Sequence, residues 1–177
     1  MKYMTLLVLI TLVGCSSKKK EEKIAHQVEA KAESQMHSST RKNLKGVITI
    51  EDLQNEIKVT ADLSGLKPNQ KLGFHVHENG VCEGPDYKSA GSHLNPYGQP
   101  HGDPNGTTRH LGDMGNLETN ANGEAKKVIL LPKTQMDDLN MLIGKAVIIH
   151  TKADDMKTQP TGDAGDRVAC GLIVAVE

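Results

Sequence analysis

Six of the eight histidines in this chain fall between His75 and His150, and each sits where an imidazole nitrogen could be turned toward a metal ion. The segments read Gly-Phe-His75-Val-His77-Glu, Gly-Ser-His93-Leu-Asn-Pro, Pro-His101-Gly-Asp, Arg-His110-Leu-Gly-Asp113 and Val-Ile-Ile-His150-Thr-Lys. His75 and His77 are two apart, so on a strand both side chains leave the same face and make a bidentate platform. Alone, such a pair is equally compatible with two surface residues. Imidazole nitrogen suits copper and zinc. Three nitrogens with one carboxylate oxygen make a closed tetrahedral zinc site, which leaves no place for substrate and is therefore structural. Four imidazoles suit copper(II) in a roughly planar arrangement with an open axial face. The two sites together need seven imidazoles and the folded part has six. One histidine must therefore serve both metals through a bridging, deprotonated ring.

The elements that must position these side chains follow from composition and alternation. There is no Trp and a single Phe, Phe74, so Val, Ile and Leu must supply the core. Those residues favour strands, with Gly and Pro as punctuation between them. Strands are predicted over 45–51, 56–63, 72–77, 114–117, 125–131, 146–150 and 169–176. Seven or eight short strands with turn signals between them imply a β-sandwich or barrel. The stretch from Glu78 to Gly112 is rich in Gly, Pro, Asn, Asp and His, with almost no apolar pattern. A loop that long in a compact domain is functional or pinned by something other than a hydrophobic core.

The N-terminal segment reads as targeting sequence. Lys2 opens a basic start, Thr5–Val13 is an apolar run too short to span a bilayer as a helix, and Leu12-Val13-Gly14-Cys15 resembles a bacterial lipobox. That resemblance implies cleavage before Cys15 and a lipid on its sulfur; the alternative is an ordinary secretory signal with an unrelated cysteine. Ser16 at the next position favours outer-membrane sorting, on the periplasmic side or the cell surface. Residues 15–43 are then expected to be a lipidated Cys15 followed by a flexible charged tether, in which His26 and His37 are solvated. The charge divides accordingly. Residues 18–42 hold seven Lys/Arg against four Asp/Glu, and residues 43–177 hold 13 against 18, which argues against nucleic acid as a partner of the folded part. In an exported chain, Cys82 and Cys170 read as a disulfide, the alternative being two buried free thiols.

Four segments then carry a family resemblance: Gly73-Phe-His-Val-His-Glu78, Gly91-Ser-His-Leu-Asn-Pro96, Arg109-His-Leu-Gly-Asp-Met-Gly-Asn116 and Gly162-Asp-Ala-Gly-Asp-Arg-Val-Ala-Cys-Gly171. In order and spacing they resemble copper/zinc superoxide dismutase over about residues 44–177, in the bacterial periplasmic style. The resemblance implies an all-β Greek-key sandwich or barrel of about eight antiparallel strands with long metal-binding loops. It also implies one copper and one zinc per subunit, superoxide as substrate and a possible homodimer. The matched copper ligands are His75, His77, His93 and His150; the matched zinc ligands are His93, His101, His110 and Asp113, with His93 as the bridge. Cys82 and Cys170 match the intrasubunit disulfide, and Arg167 the arginine that guides the anion. Asp154 matches the carboxylate linking His75 to His101. In such a site His93 would also carry a proton to the forming peroxide. Lys152 and Lys157 could add to the positive funnel or be ordinary solvated charges. The rival expectation is a non-enzymatic copper/zinc-binding envelope lipoprotein that buffers metal.

Overall fold

The computed structural model describes residues 28–133 and 139–176. The signal segment, Cys15 and His26 lie outside the described residues. The described residues form eight strands: β1 Val28–Gln35, β2 Lys45–Leu53, β3 Glu56–Ser64, β4 Lys71–His77, β5 Asp113–Glu118, β6 Ala125–Pro132, β7 Ala146–His150 and β8 Arg167–Val176. All pairings are antiparallel, in the order β5-β4-β7-β8-β1-β2-β3-β6. β5 and β6 approach each other across the remaining gap, so the sheet curls into a nearly closed barrel. The expected all-β class is the one found.

Alternation builds the core. Ile57, Val59, Ala61 and Leu63 of β3 point inward, as do Ile48 and Ile50 of β2, Phe74 and Val76 of β4, and Val147 and Ile149 of β7. The residues between them on β4 are His75 and His77, and on β7 Ala146, Ile148 and His150. These face outward, yet all are buried, because loops cover this side of the barrel. The 78–112 loop leaves from the end of β4, and the 151–166 loop leaves from the end of β7. The two strands are antiparallel, so the loops close over the same outer face from opposite ends.

One expectation is corrected. The 15–43 tether ends earlier than its composition suggested, because β1 lies inside it. β1 is a central strand, between β8 and β2, with Ala32 opposite Ile50 and Glu33 opposite Val174. Its buried residues are Ala32 and Ser34, with Met36 just past its end the one large apolar side chain, so no hydrophobic alternation marks it. β8 comes very close here and only glycine fits at position 171: a Cβ on Gly171 would stand 2.7 Å from both the Gln35 carbonyl oxygen and Met36 Sδ. The folded part therefore reaches back at least to Val28. His37 pairs through its backbone with Cys170.

The long loop is pinned from outside the main core. Cys82 and Cys170 form a disulfide across 88 residues. Around it Tyr87 and Ala90 pack on Ala146, Ile148 and Cys170, a small second core on the outer face of β7 and β8.

Candidate metal centre

Two clusters of ligand-type side chains lie on this outer face. His75, His77, His93 and His150 form one and His93, His101, His110 and Asp113 the other; within each, the potential ligand atoms lie within 4.8 Å of one another, and every member is buried. β4 supplies His75 and His77, β7 supplies His150, β5 supplies Asp113, and the 78–112 loop supplies His93, His101 and His110. His93 is brought to β4 by a backbone bridge to His77.

The partner at one ring nitrogen decides which nitrogen is free. His77 Nδ1 donates to the Gly91 carbonyl at 2.9 Å and His150 Nδ1 to the Gly165 carbonyl at 3.0 Å, since a carbonyl can only accept. His75 Nε2 donates to Asp154 Oδ2 at 2.8 Å. The nitrogens left over are His75 Nδ1, His77 Nε2 and His150 Nε2, and with His93 Nε2 these four are buried without any hydrogen-bond partner. Orphaned buried nitrogens are costly and rare. Four of them converging in one cluster is the signature of a metal-binding pocket, and the donor set of imidazoles fits copper.

The second cluster is arranged around a carboxylate. Asp113 Oδ2 accepts the backbone N–H groups of Gly102 at 3.0 Å and His110 at 2.8 Å, which turns Oδ1 toward three ring nitrogens. His93 Nδ1 and His101 Nδ1 lie 2.9 Å from Oδ1, and His110 Nδ1 lies 3.4 Å from it and from His93 Nδ1. The edge of a tetrahedron with zinc–ligand bonds near 2.0 Å is about 3.3 Å, so three nitrogens and one oxygen are spaced for zinc. His93 presents Nδ1 to this cluster and Nε2 to the other.

Asp154 ties the clusters together. Its Oδ2 accepts from His75 and its Oδ1 accepts from His101 Nε2 at 2.9 Å. Asn116 holds the Asp154 backbone in turn: the side-chain amide donates to the Asp154 carbonyl at 2.9 Å, and its oxygen accepts the Asp154 N–H at 2.7 Å. Gln159 clamps the His101 backbone in the same two-point way. Gly162 packs against the Asp154–His101 pair, where a Cβ would fall inside contact distance of the carboxylate and 2.7 Å from His101 Nε2. The supporting roles of Asn116, Gln159 and Gly162 were not legible in the sequence. Gly162 and Asn116 carried a signal only as members of the matched Gly162–Gly171 and Arg109–Asn116 segments.

Electrostatics follow burial. Burial pushes His75 down to about 4, His77 to about 2 and His150 to about 3, so these rings are neutral and ready to ligate. Burial also works against the charged forms of Asp113 and Asp154, but hydrogen bonds from His101 and its neighbours outweigh it and hold both carboxyls well below their usual range. His101 is lowered by burial too, yet its bonds to both carboxylates carry it up to about 9.

Arg167 lies beside His150, its register partner across β7–β8. Its guanidinium donates to the Tyr87 carbonyl at 2.7 Å and the Gly91 carbonyl at 2.6 Å. Both acceptors are neutral, so the hydrogen bonds fix the cation in place without an ion pair; Asp86 acts on it only through space. It borders an open cleft of about 470 Å³, lined also by Pro85, Asp86, Lys88, Gly165 and Asp166. Lys152 and Lys157 do not line this cleft. Lys88 does, paired with Asp86 at 3.1 Å. His37 is exposed and joins neither cluster.

Comparison with known proteins falls on the same residues. The profile of copper/zinc superoxide dismutase matches residues 44–173. A Cu-Zn superoxide dismutase of Paramecium bursaria Chlorella virus 1 is 37% identical over 137 residues, covering 73% of this chain and 72% of its own. Cu-Zn superoxide dismutase 2 of Aquifex aeolicus is 37% identical over 140 residues, covering 76% of this chain and 82% of its own. Among solved structures, a double mutant of a SOD-like protein from Bacillus subtilis superposes with a TM-score of 0.71 at 35% identity, over 80% of this chain and 96% of that one. The profile takes in the whole set of clustered histidines, and the relatives share more than a third of the aligned residues over most of the domain: this chain belongs to the copper/zinc superoxide dismutase family.

Proposed function

We propose that the chain dismutates superoxide at the four-imidazole cluster, with the Asp113 cluster as its structural zinc site. The four converging, unpartnered nitrogens of His75, His77, His93 and His150 carry this reading. Copper, when bound there, supplies the one-electron chemistry that turns 2 O₂⁻ and 2 H⁺ into O₂ and H₂O₂, and zinc supplies a fixed anchor for the shared ring. The protein's own residues do the rest. Arg167 draws the anion in and orients it. His93 Nε2 is the atom at which a proton is held and handed to the reduced oxygen product. Asp154 fixes the rings of His75 and His101 together, so neither cluster can drift relative to the other. The deciding experiment is superoxide decay by the domain at known copper and zinc content. Decay that scales with copper supports the reading; full metal content without decay would replace it with metal buffering.

We further propose an exported protein held at the cell envelope by a lipid on Cys15, supported by the apolar run and lipobox-like sequence before it. Cys15→Ser should shift the protein from the membrane fraction to the soluble one. A homodimer is supported by exposed Leu172 and Val174 on β8 with Val81 in the adjoining loop, and sedimentation of the domain tests it.

A further inference from the structure

Tyr87 is an unusual residue to find in the ligand-bearing 78–112 loop. Its side chain is 1% exposed, yet its backbone is left-handed, with φ 53° and ψ 25°. That conformation is unfavourable for a bulky residue without something to hold it. Three contacts hold it here. The ring packs in the small outer core with Ala90, Ala146, Ile148 and Cys170. It meets the His37 ring edge-on at 6.1 Å. Its hydroxyl accepts the Ser39 backbone N–H at 2.6 Å. The Tyr87 carbonyl accepts twice, from the Ala90 N–H at 3.1 Å within the 3-10 turn (Lys88–Ala90) and from Arg167, and Gly91 at the end of that turn offers the second acceptor for the guanidinium. Gly91 also accepts from His77, so the Arg167 cradle and a copper-cluster ring share one carbonyl.

We propose that Tyr87 is a positioning residue for Arg167: its buried ring and hydroxyl lock the cradle that holds the guanidinium, tying it to the segment between β1 and β2. The inference rests on the anion-guiding role given to Arg167 above. It assigns to a side chain what the disulfide does not reach alone, since Cys82 lies five residues before Tyr87.

The test uses the copper- and zinc-loaded protein and four variants: Tyr87→Phe, Tyr87→Asn, Arg167→Ala and the double variant Tyr87→Asn/Arg167→Ala. Asn tolerates the left-handed backbone, so that variant removes the ring without adding strain. Superoxide decay and the affinity for azide, a small monovalent anion, are read at equal metal content. Tyr87→Asn should slow decay several-fold and weaken azide binding. Tyr87→Phe should act in the same direction by up to about five-fold, the factor carried by one net hydrogen bond. In the Arg167→Ala background Tyr87→Asn should have no further effect. Wild-type values in both Tyr87 variants, with Arg167→Ala impaired, would overturn the proposal and leave the guiding role standing. Losses that add in full in the double variant would overturn it as well, because Tyr87 would then act by another route. Wild-type behaviour of Arg167→Ala would remove the guiding role and this inference together. If the loaded wild type shows no decay, the dismutase reading fails, and azide affinity across the variants still decides the role of Tyr87. Should Tyr87→Asn not fold, the Phe variant at full metal content decides between these outcomes.

Discussion

His150 belongs to the four-imidazole cluster alone, so its loss separates the two metals. His150→Ala should abolish dismutation and copper retention while zinc stays bound, because His93, His101, His110 and Asp113 are untouched. Asp113→Ala should act the other way: zinc is lost first, and copper remains in a looser site because the His93 ring loses its Nδ1 partner. Metal analysis after dialysis checks both; loss of both metals from His150→Ala would refute the division of ligands. Arg167→Ala should retain both metals and slow decay several-fold at low ionic strength. The deficit should narrow in high salt, since added ions screen steering beyond roughly 8–10 Å. Rates at two ionic strengths settle it, and a deficit independent of salt would mean that Arg167 orients the anion at short range only. At this scale the sequence was highly legible. The ligand histidines stand in short, distinctive segments, and their chemistry restricts what they can be. The residues that steady them were not legible, because Asn116 and Gln159 act through backbone contacts that no residue type announces.

β1 makes a prediction about elements, where the sequence had suggested a flexible charged tether. A chain beginning at Val28 should fold and bind both metals. Deleting residues 28–36 should not leave a stable domain, because β8 and β2 would each lose a central neighbour and Ala32, Ser34 and Met36 would leave the core. Thermal melts of the two truncations check this; a cooperative transition at the parent temperature without β1 would overturn it. The other seven strands were legible from alternation, as in Ile57–Leu63, or from short apolar runs bounded by turn signals, as in Ala146–Ile149. β1 was not, because its buried side chains are Ala32 and Ser34, too small to make an apolar stripe, and the large Met36 comes only past its end. The pinning of the 78–112 loop was half legible. Its cysteine could be paired from the sequence, but Tyr87, the chief anchor of the second core, looks like any loop tyrosine.

For the molecule as a whole, the buried histidines set how the metal-free domain responds to pH. His75, His77 and His150 resist protonation when folded, to about 4, 2 and 3 respectively, whereas in the unfolded chain they take up protons near 6.5. Their contribution is therefore lost as pH falls below about 6.5. His101 has the opposite sign. Folded, it keeps its proton up to about 9, so its contribution is full below about 6.5 and lost as pH rises through 9. The metal-free domain should be most stable near pH 6.5, and zinc should erase the alkaline limb, because its binding takes the His101 Nδ1 proton. Melting temperature against pH, with and without zinc, checks this; a metal-free protein still gaining stability at pH 9 would contradict it. Reducing Cys82–Cys170 should lower the melting temperature as well, since closing 88 residues is worth roughly 4–5 kcal/mol at most in chain entropy. The place of β1 beside β8 also has a consequence in time. A chain emerging N-terminus first presents β1 at the outset, but one of the two flanks of that strand is the last strand to appear. His150, Arg167 and Cys170 arrive late too. Nascent chains halted before residue 167 should therefore stay open to protease and should not hold copper tightly, so the four-imidazole cluster closes only once β8, the last of the described strands, is in place.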